Sequence, residues 1–322
     1  MVAQLDRQYL HLAGPGAGLR RAISYAFYEG RPATTRGQWF NPVVARVLRR
    51  AEQAPAVPPD RPVFVLGTGR SGTTHLGRLL SAHPQVGWLN EPKLMWSRLV
   101  PGEDVSGFYQ PAGRFVLGPD DATAELRQAA SAVLTSYLRT VRATRAVVKY
   151  PELTYRARFL EALFPDAVLV AIVRRPEDVV HSVAGWNARN AAGDEDWWGV
   201  GDRKWRQLCE QLAPADPLLA AVLDQAGDEP LTPGERAATE WVLGARALAE
   251  ARACVDLRVR YDDLVADPAG TMRRVLAACG LDPDPRVLAL AEASTVRGPH
   301  AAPAGLGRLA DAVAAVRGEV GL

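Results

Sequence analysis

Lysine is almost missing from this chain. Of 38 lysines and arginines only Lys93, Lys149 and Lys204 are lysine, and arginine carries the remaining positive charge. Such a bias suggests a GC-rich genome, and it makes a lysine at a strand tip stand out from background; a bacterial protein is expected. Cysteine is equally scarce. Cys209, Cys254 and Cys279 lie far apart and form no CxxC pair, which argues against a disulfide framework or a zinc site and fits reduced core residues of a cytoplasmic protein. No run approaches the roughly 20 apolar residues that a membrane span needs. Asp6, Arg7 and His11 fall where a secretory signal has its apolar stretch, so secretion is not expected. Charge of one sign is lacking too: a net charge of +2 gives no electrostatic reason to expect nucleic acid or an anionic membrane as partner.

What is present suits a globular α/β chain. The 322 residues are 48% hydrophobic and 23% charged, enough apolar material for a large core. Residues 1–60 read as an Arg-rich helical extension with a helix over 42–53, Asn41 as its N-cap and Pro42 at its first position. The stretch 55–62 (PAVPPDRP) is a linker that cannot be helical. From 61 to 322 strand and helix alternate. Strands are expected at Val63–Leu66, 146–149, 167–173 and 257–261, with helices over 75–82, 155–164, 176–186 and 262–279, the last ended by Gly280. The run 167–173 (AVLVAIV) is apolar without a break, as in a strand of a parallel sheet covered on both faces. The expected fold is a doubly wound parallel sheet flanked by helices. Residues 187–235 interrupt the alternation with Trp-rich polar sequence and read as an insertion over one end of the sheet.

Two segments carry chemistry. Residues 67–74 (GTGRSGTT) join a strand to a helix, the context in which backbone N–H groups wrap a phosphate. Gly67, Gly69 and Gly72 permit the close approach that such a loop requires. The spacing resembles a Walker A loop, but Thr73 stands where that motif has lysine, and Arg70 supplies the charge instead. The bland alternative is a tight glycine turn without a ligand. The second segment is the tip of strand 167–173, which ends in Arg174-Arg175-Pro176 and runs on to Ser182. A metal-dependent ATPase often places an aspartate at such a tip. Two guanidiniums attract an anion instead, and Arg174 can meet a phosphate bidentately. Its bland alternative is a surface arginine pair bridged to Glu177 and Asp178.

Together these segments resemble the PAPS-dependent sulfotransferase family, in motif style its tyrosylprotein and carbohydrate branches. GTGRSGTT is similar to the family's 5′-phosphosulfate loop in the form PRSGTT, with Gly69 replacing the proline. VAIVRRPEDVVHS resembles its 3′-phosphate motif, and residues 259–280 resemble its late strand–helix. The resemblance covers about residues 62–300. It implies a P-loop-like sheet, PAPS as donor, PAP as product and no metal. By residue, it implies that Gly69, Arg70, Ser71, Gly72, Thr73 and Thr74 hold the 5′-phosphosulfate. Arg174 and Ser182 would hold the 3′-phosphate, Tyr261 would line the nucleotide site, and Arg297 with Gly298 would close on the 3′-phosphate.

The resemblance also implies the catalytic groups. Lys149, at a strand tip, matches the lysine that steadies the charge of the transition state, a role Arg70 shares. Its bland alternative is a solvated surface lysine. The histidine that many small-molecule members carry two residues further on is here Pro151. Glu91 matches the glutamate that follows a short strand in the other branches, and a partly buried carboxyl raised toward neutral pKa serves as general base. Glu152 is the reserve; a salt bridge to Lys93 or Arg70 is the bland reading of Glu91. His75 and His83 fall on the loop helix, where His75 packs or caps. Trp88, Trp96, Trp186, Trp197, Trp198 and Trp205 lean toward a binding lid. A small-molecule, lipid or glycan acceptor, sulfated at oxygen or nitrogen, is compatible, and a homodimer is allowed. Two other functions remain open: a P-loop small-molecule kinase using ATP and Mg²⁺, and a non-catalytic nucleotide-binding scaffold.

Overall fold

The computed structural model describes residues 4–30, 38–110, 113–190, 197–226, 229–295 and 306–322. Among them five strands form one parallel sheet: β1 (Val63–Leu66), β2 (Val86–Asn90), β3 (Arg145–Lys149), β4 (Val168–Val173) and β5 (Leu257–Arg260), in the order β2-β3-β1-β4-β5. Alternate side chains leave the sheet on opposite faces. Phe64, Leu66, Val148, Leu169 and Ala171 enter one core, whereas Val63, Val65, Val147, Val170 and Ile172 enter the other. That is why β4 is apolar at every position: each Val or Leu buried contributes about 1.5–3 kcal/mol, whichever face it joins.

The order of the strands fixes where a site can lie. From β1 the chain crosses to β2 on one side, and from β4 it passes to β5 on the other. Connections leaving the carboxyl ends of these adjacent strands therefore diverge and open a crevice there.

Some boundaries differ from the sequence reading. Helix Asn41–Glu52 takes Asn41 into its first turn after Phe40, and no side chain caps it. The helix expected over 262–279 is two, Tyr261–Ala266 and Pro268–Ala278. Asp267 breaks it, because Pro268 cannot continue the first helix and the Asp267 carboxylate caps the second through the Gly270 N–H. Residues 155–164 begin in a 3₁₀ segment, Pro151–Arg156, before helix Ala157–Leu163.

The first helix, Arg7–Phe27, packs against β2 and helix Pro285–Ser294. Its Arg21 is buried, pairs with Glu29, donates to the Trp88 carbonyl at 3.3 Å and stacks over the Trp88 ring. Glu29 in turn accepts the Asn90 N–H at 2.7 Å, at the last residue of β2. The described part of the insertion holds helices Arg203–Gln211 and Pro217–Ala226. No helix among the described residues is long and apolar enough to cross a membrane.

Candidate functional site

The tips of β1 to β4 and the start of the helix after β5 enclose a cavity of about 570 Å³. β1 delivers the loop 67–72. Gly67 and Gly72 have φ of +143° and +99°, and Cβ atoms there would meet Ile172 O at 2.4 Å and the Tyr261 ring at 2.5 Å, so only glycine fits. Arg70 also sits in the left-handed region, with φ of +65°. Helix Thr73–Leu80 follows directly, aiming its first N–H groups at the crevice. Gly69, Arg70, Gly72, Thr73 and Thr74 line the cavity. Ser71 does not: it is buried, and its hydroxyl is bound to that of Thr68 at 2.6 Å. Its part in any anion contact is therefore confined to its backbone.

Arg174, at the tip of β4, lies over the Tyr261 ring at 4.5 Å and donates to the Arg70 carbonyl at 3.2 Å. Its Nε is buried without a hydrogen-bond partner. Arg70 Nε donates to the Ser182 hydroxyl at 3.0 Å. Residues from three segments far apart in sequence thus meet in one cluster: Arg70, Arg174 with Ser182, and Tyr261. Arg297 and Gly298 lie outside the described residues.

Opposite this cluster stand the tips of β2 and β3. Lys149 is 2% exposed and forms an ion pair with Glu91, while its carbonyl accepts the Glu91 N–H at 2.6 Å. Glu91 itself holds the left-handed conformation, with φ of +52°, an arrangement that costs energy and points its side chain at Lys149. The expected rise of the Glu91 pKa is not met in this state. Burial pushes it up, but Lys149, Lys93 and Lys204 outweigh burial and hold it at about 2. Glu91 is a carboxylate at neutral pH.

Lys204, from the insertion, is buried, donates to Glu240 Oε1 at 2.6 Å and lies 4.0 Å from Glu152. Burial works against its charge, yet Glu240 and Glu152 raise its pKa. Lys93 sits against the rings of Phe108 and Tyr150. All three lysines of the chain therefore line one cavity, and sequence reasoning had singled out only Lys149. Their rarity was the available signal for the other two. Arg78, paired with Asp6, was missed as well. With Arg70 and Arg174 the lining carries six cationic side chains against Glu91 and Glu152; Glu240 and Asp6 offset two of them from behind, which leaves an excess of positive charge that favours an anion.

His75 reaches the cavity edge bound to the Thr295 hydroxyl, and burial, with Arg78, lowers its pKa to about 4. His83 is buried against the Asp282 carbonyl. Pro151 lines the cavity where a histidine base is ruled out. Of the six tryptophans expected around a lid, Trp88, Trp96 and Trp198 are core residues and Trp205 packs edge-on against Trp198. Trp186 and Trp197 alone among them line the cavity. Among the described residues, no group of three His, Cys, Asp or Glu could hold a metal ion.

A family model described as the Sulfotransferase family matches residues 62–285. The nodulation protein NoeE of Sinorhizobium fredii is 28% identical over 227 residues, 68% of this chain and 50% of that protein. The chain thus spans half the length of that curated relative. Sulfotransferase STF1 from Mycobacterium tuberculosis is 19% identical, with 99% of both chains covered and a TM-score of 0.43. The sulfotransferase domain of the Synechococcus PCC 7002 olefin synthase is 20% identical over 79% of this chain and 80% of the domain, with a TM-score of 0.42.

Proposed function

The chain belongs to the sulfotransferase family, and from that premise we propose that it moves a sulfuryl group from PAPS to a hydroxyl or amine of a small-molecule, lipid or glycan acceptor. The observation that carries this reading is the joining of Arg70, Arg174 and Ser182 beside a glycine loop that faces the Lys149–Glu91 pair. PAPS supplies an activated sulfuryl group on a phosphate, together with a second phosphate at the 3′ position.

The residues present fit those groups. The backbone of 69–72 with Arg70, Thr73 and Thr74 suits the 5′-phosphosulfate, and Arg174 and Ser182 suit the 3′-phosphate. The unpartnered Arg174 Nε is a donor in want of an acceptor. Tyr261 stands beside the loop at Gly72, and Arg297 is retained as a further 3′-phosphate residue.

Lys149, with Arg70, stabilises the charge that grows on the sulfuryl oxygens and the leaving phosphate. In the free site it is held by Glu91. As Lys149 turns its ammonium toward the donor, Glu91 loses its strongest attraction and its proton affinity rises. Glu91 then takes the proton of the acceptor nucleophile as the new S–O or S–N bond forms and the bond to phosphate breaks. Arg70, Arg174 and the freed Lys149 would do the neutralising that Mg²⁺ does in kinases, a reaction that calls for no metal.

The test is a thermal-shift titration with PAP, adenosine 5′-phosphate and ATP plus Mg²⁺, each with and without EDTA. A ligand at about 100 times its Kd adds roughly 2.7 kcal/mol of stability. Stabilisation by PAP, indifferent to EDTA and greater than that by adenosine 5′-phosphate, is the expected result. Stabilisation by ATP only with Mg²⁺ overturns the reading in favour of a kinase.

A further inference from the structure

Trp197 belongs to the insertion, yet its ring lies on the glycine loop at the opposite wall of the cavity. A Cβ placed on Gly69 would be 2.2 Å from Cζ2 and 2.4 Å from Cη2 of the Trp197 ring. No side chain can occupy position 69 while the indole is there. Gly69 has no positive φ that would call for glycine, and the indole occupies the space a Cβ would need.

Three further contacts hold the ring. Its N–H donates to Glu240 Oε2 at 2.5 Å, on helix Pro233–Glu250. The Lys204 ammonium lies 5.0 Å from its centroid, and Trp186 meets it edge-on at 5.5 Å. Glu240 and Lys204 are both 5% exposed and paired with each other. A buried ion pair thus grips the polar side of the indole and presses its apolar edge onto the loop.

We propose that Trp197 is a positioning residue that seats the insertion on the anion-binding loop at Gly69, and that glycine stands there because the indole fills the space. The seat joins the wall that the insertion contributes, with Lys204, to the wall that β1 contributes. It rests on the sulfotransferase reading only in taking the loop to be the donor's.

The test is limited trypsin digestion of the full chain, because Arg203, Lys204 and Arg206 lie just beyond the seat. Wild type is expected to resist cleavage there. Trp197→Ala and Gly69→Ala should each accelerate it about tenfold. The combination Gly69→Ala with Trp197→Ala should be no faster than the faster single variant, because both break one contact. Rescue is the decisive arm: Phe lacks the outer indole edge, so Gly69→Ala with Trp197→Phe should be cleaved more slowly than Gly69→Ala alone. Multiplying effects, absent rescue, or wild-type cleavage of Gly69→Ala overturns the proposal. Should Trp197→Ala be cut throughout the chain, as an unfolded protein would be, Gly69→Ala and its rescue decide alone. A wild-type chain that ignores PAP sinks the donor assignment and leaves the seat to be judged by proteolysis.

Discussion

Arg174→Ala should separate the two phosphates of the donor. Arg174 lies over Tyr261, is tethered to the Arg70 carbonyl, and holds a buried Nε with no partner in the free protein. Its pre-set position means that little side-chain entropy is lost when an anion arrives. A hydrogen bond to a charged group is worth about 1.5–3 kcal/mol, and at about 1.4 kcal/mol per factor of ten that is a loss of roughly 10- to 150-fold in PAP affinity. Adenosine 5′-phosphate lacks the 3′-phosphate and should lose almost nothing. Calorimetric titration of both ligands against wild type and variant gives four affinities, and the quantity that matters is their ratio. The ratio of PAP to adenosine 5′-phosphate affinity should fall by the full 10- to 150-fold. An equal loss for both ligands would place Arg174 at the 5′ end, and no loss would remove it from the site.

Three further outcomes are expected. Glu91→Gln should leave PAP affinity within about threefold of wild type while turnover falls on the order of 10²- to 10⁴-fold; full activity would move the base to Glu152. Because the Glu91 pKa is lowered from 4.5 to about 2, its stabilising effect is present above the unfolded value and is lost as pH falls toward 2. The melting-temperature gap between wild type and Glu91→Gln should therefore shrink between pH 5 and pH 3, and a gap that widens on acidification refutes the ion-pair account. Lys204→Met leaves Glu240 and Glu152 buried without their counter-charge. The cost should be about 3–5 kcal/mol, some 5 °C in melting temperature, partly recovered by adding Glu240→Gln.

Legibility in the sequence followed the range of the interactions. The loop 67–74 and the tip at Arg174 were legible because glycine spacing and an unbroken apolar strand are local signals. Helices Ala124–Val141 and Pro233–Glu250 went unread, although Thr123 and Thr232 cap them, because their small residues blur the apolar stripe. Glu91 was singled out by resemblance, and its pKa is lowered where a rise was expected. Burial of a carboxyl is foreseeable, whereas three lysines converging from positions 93, 149 and 204 are a product of the fold. The pairing of Gly69 with Trp197 was likewise invisible, since they lie 128 positions apart in the chain. Position 69 stood out only as a departure from the proline of the family loop.

The clamp of Arg21 and Glu29 on β2 changes how the chain can be shortened. The family model begins at residue 62, yet the hydrogen bond that ends β2, one residue before Glu91, comes from residue 29. A chain cut to the recognisable segment would bare the Trp88 ring and leave the Asn90 N–H without its acceptor. Glu91 keeps a strained backbone only because its surroundings enforce it. Such a fragment should lose turnover before it loses PAP, since Arg174 lies beyond β3 and β1, out of reach of the damage. Similarity marks where the ancestry of this chain can be read; the support of β2 reaches some thirty residues before it.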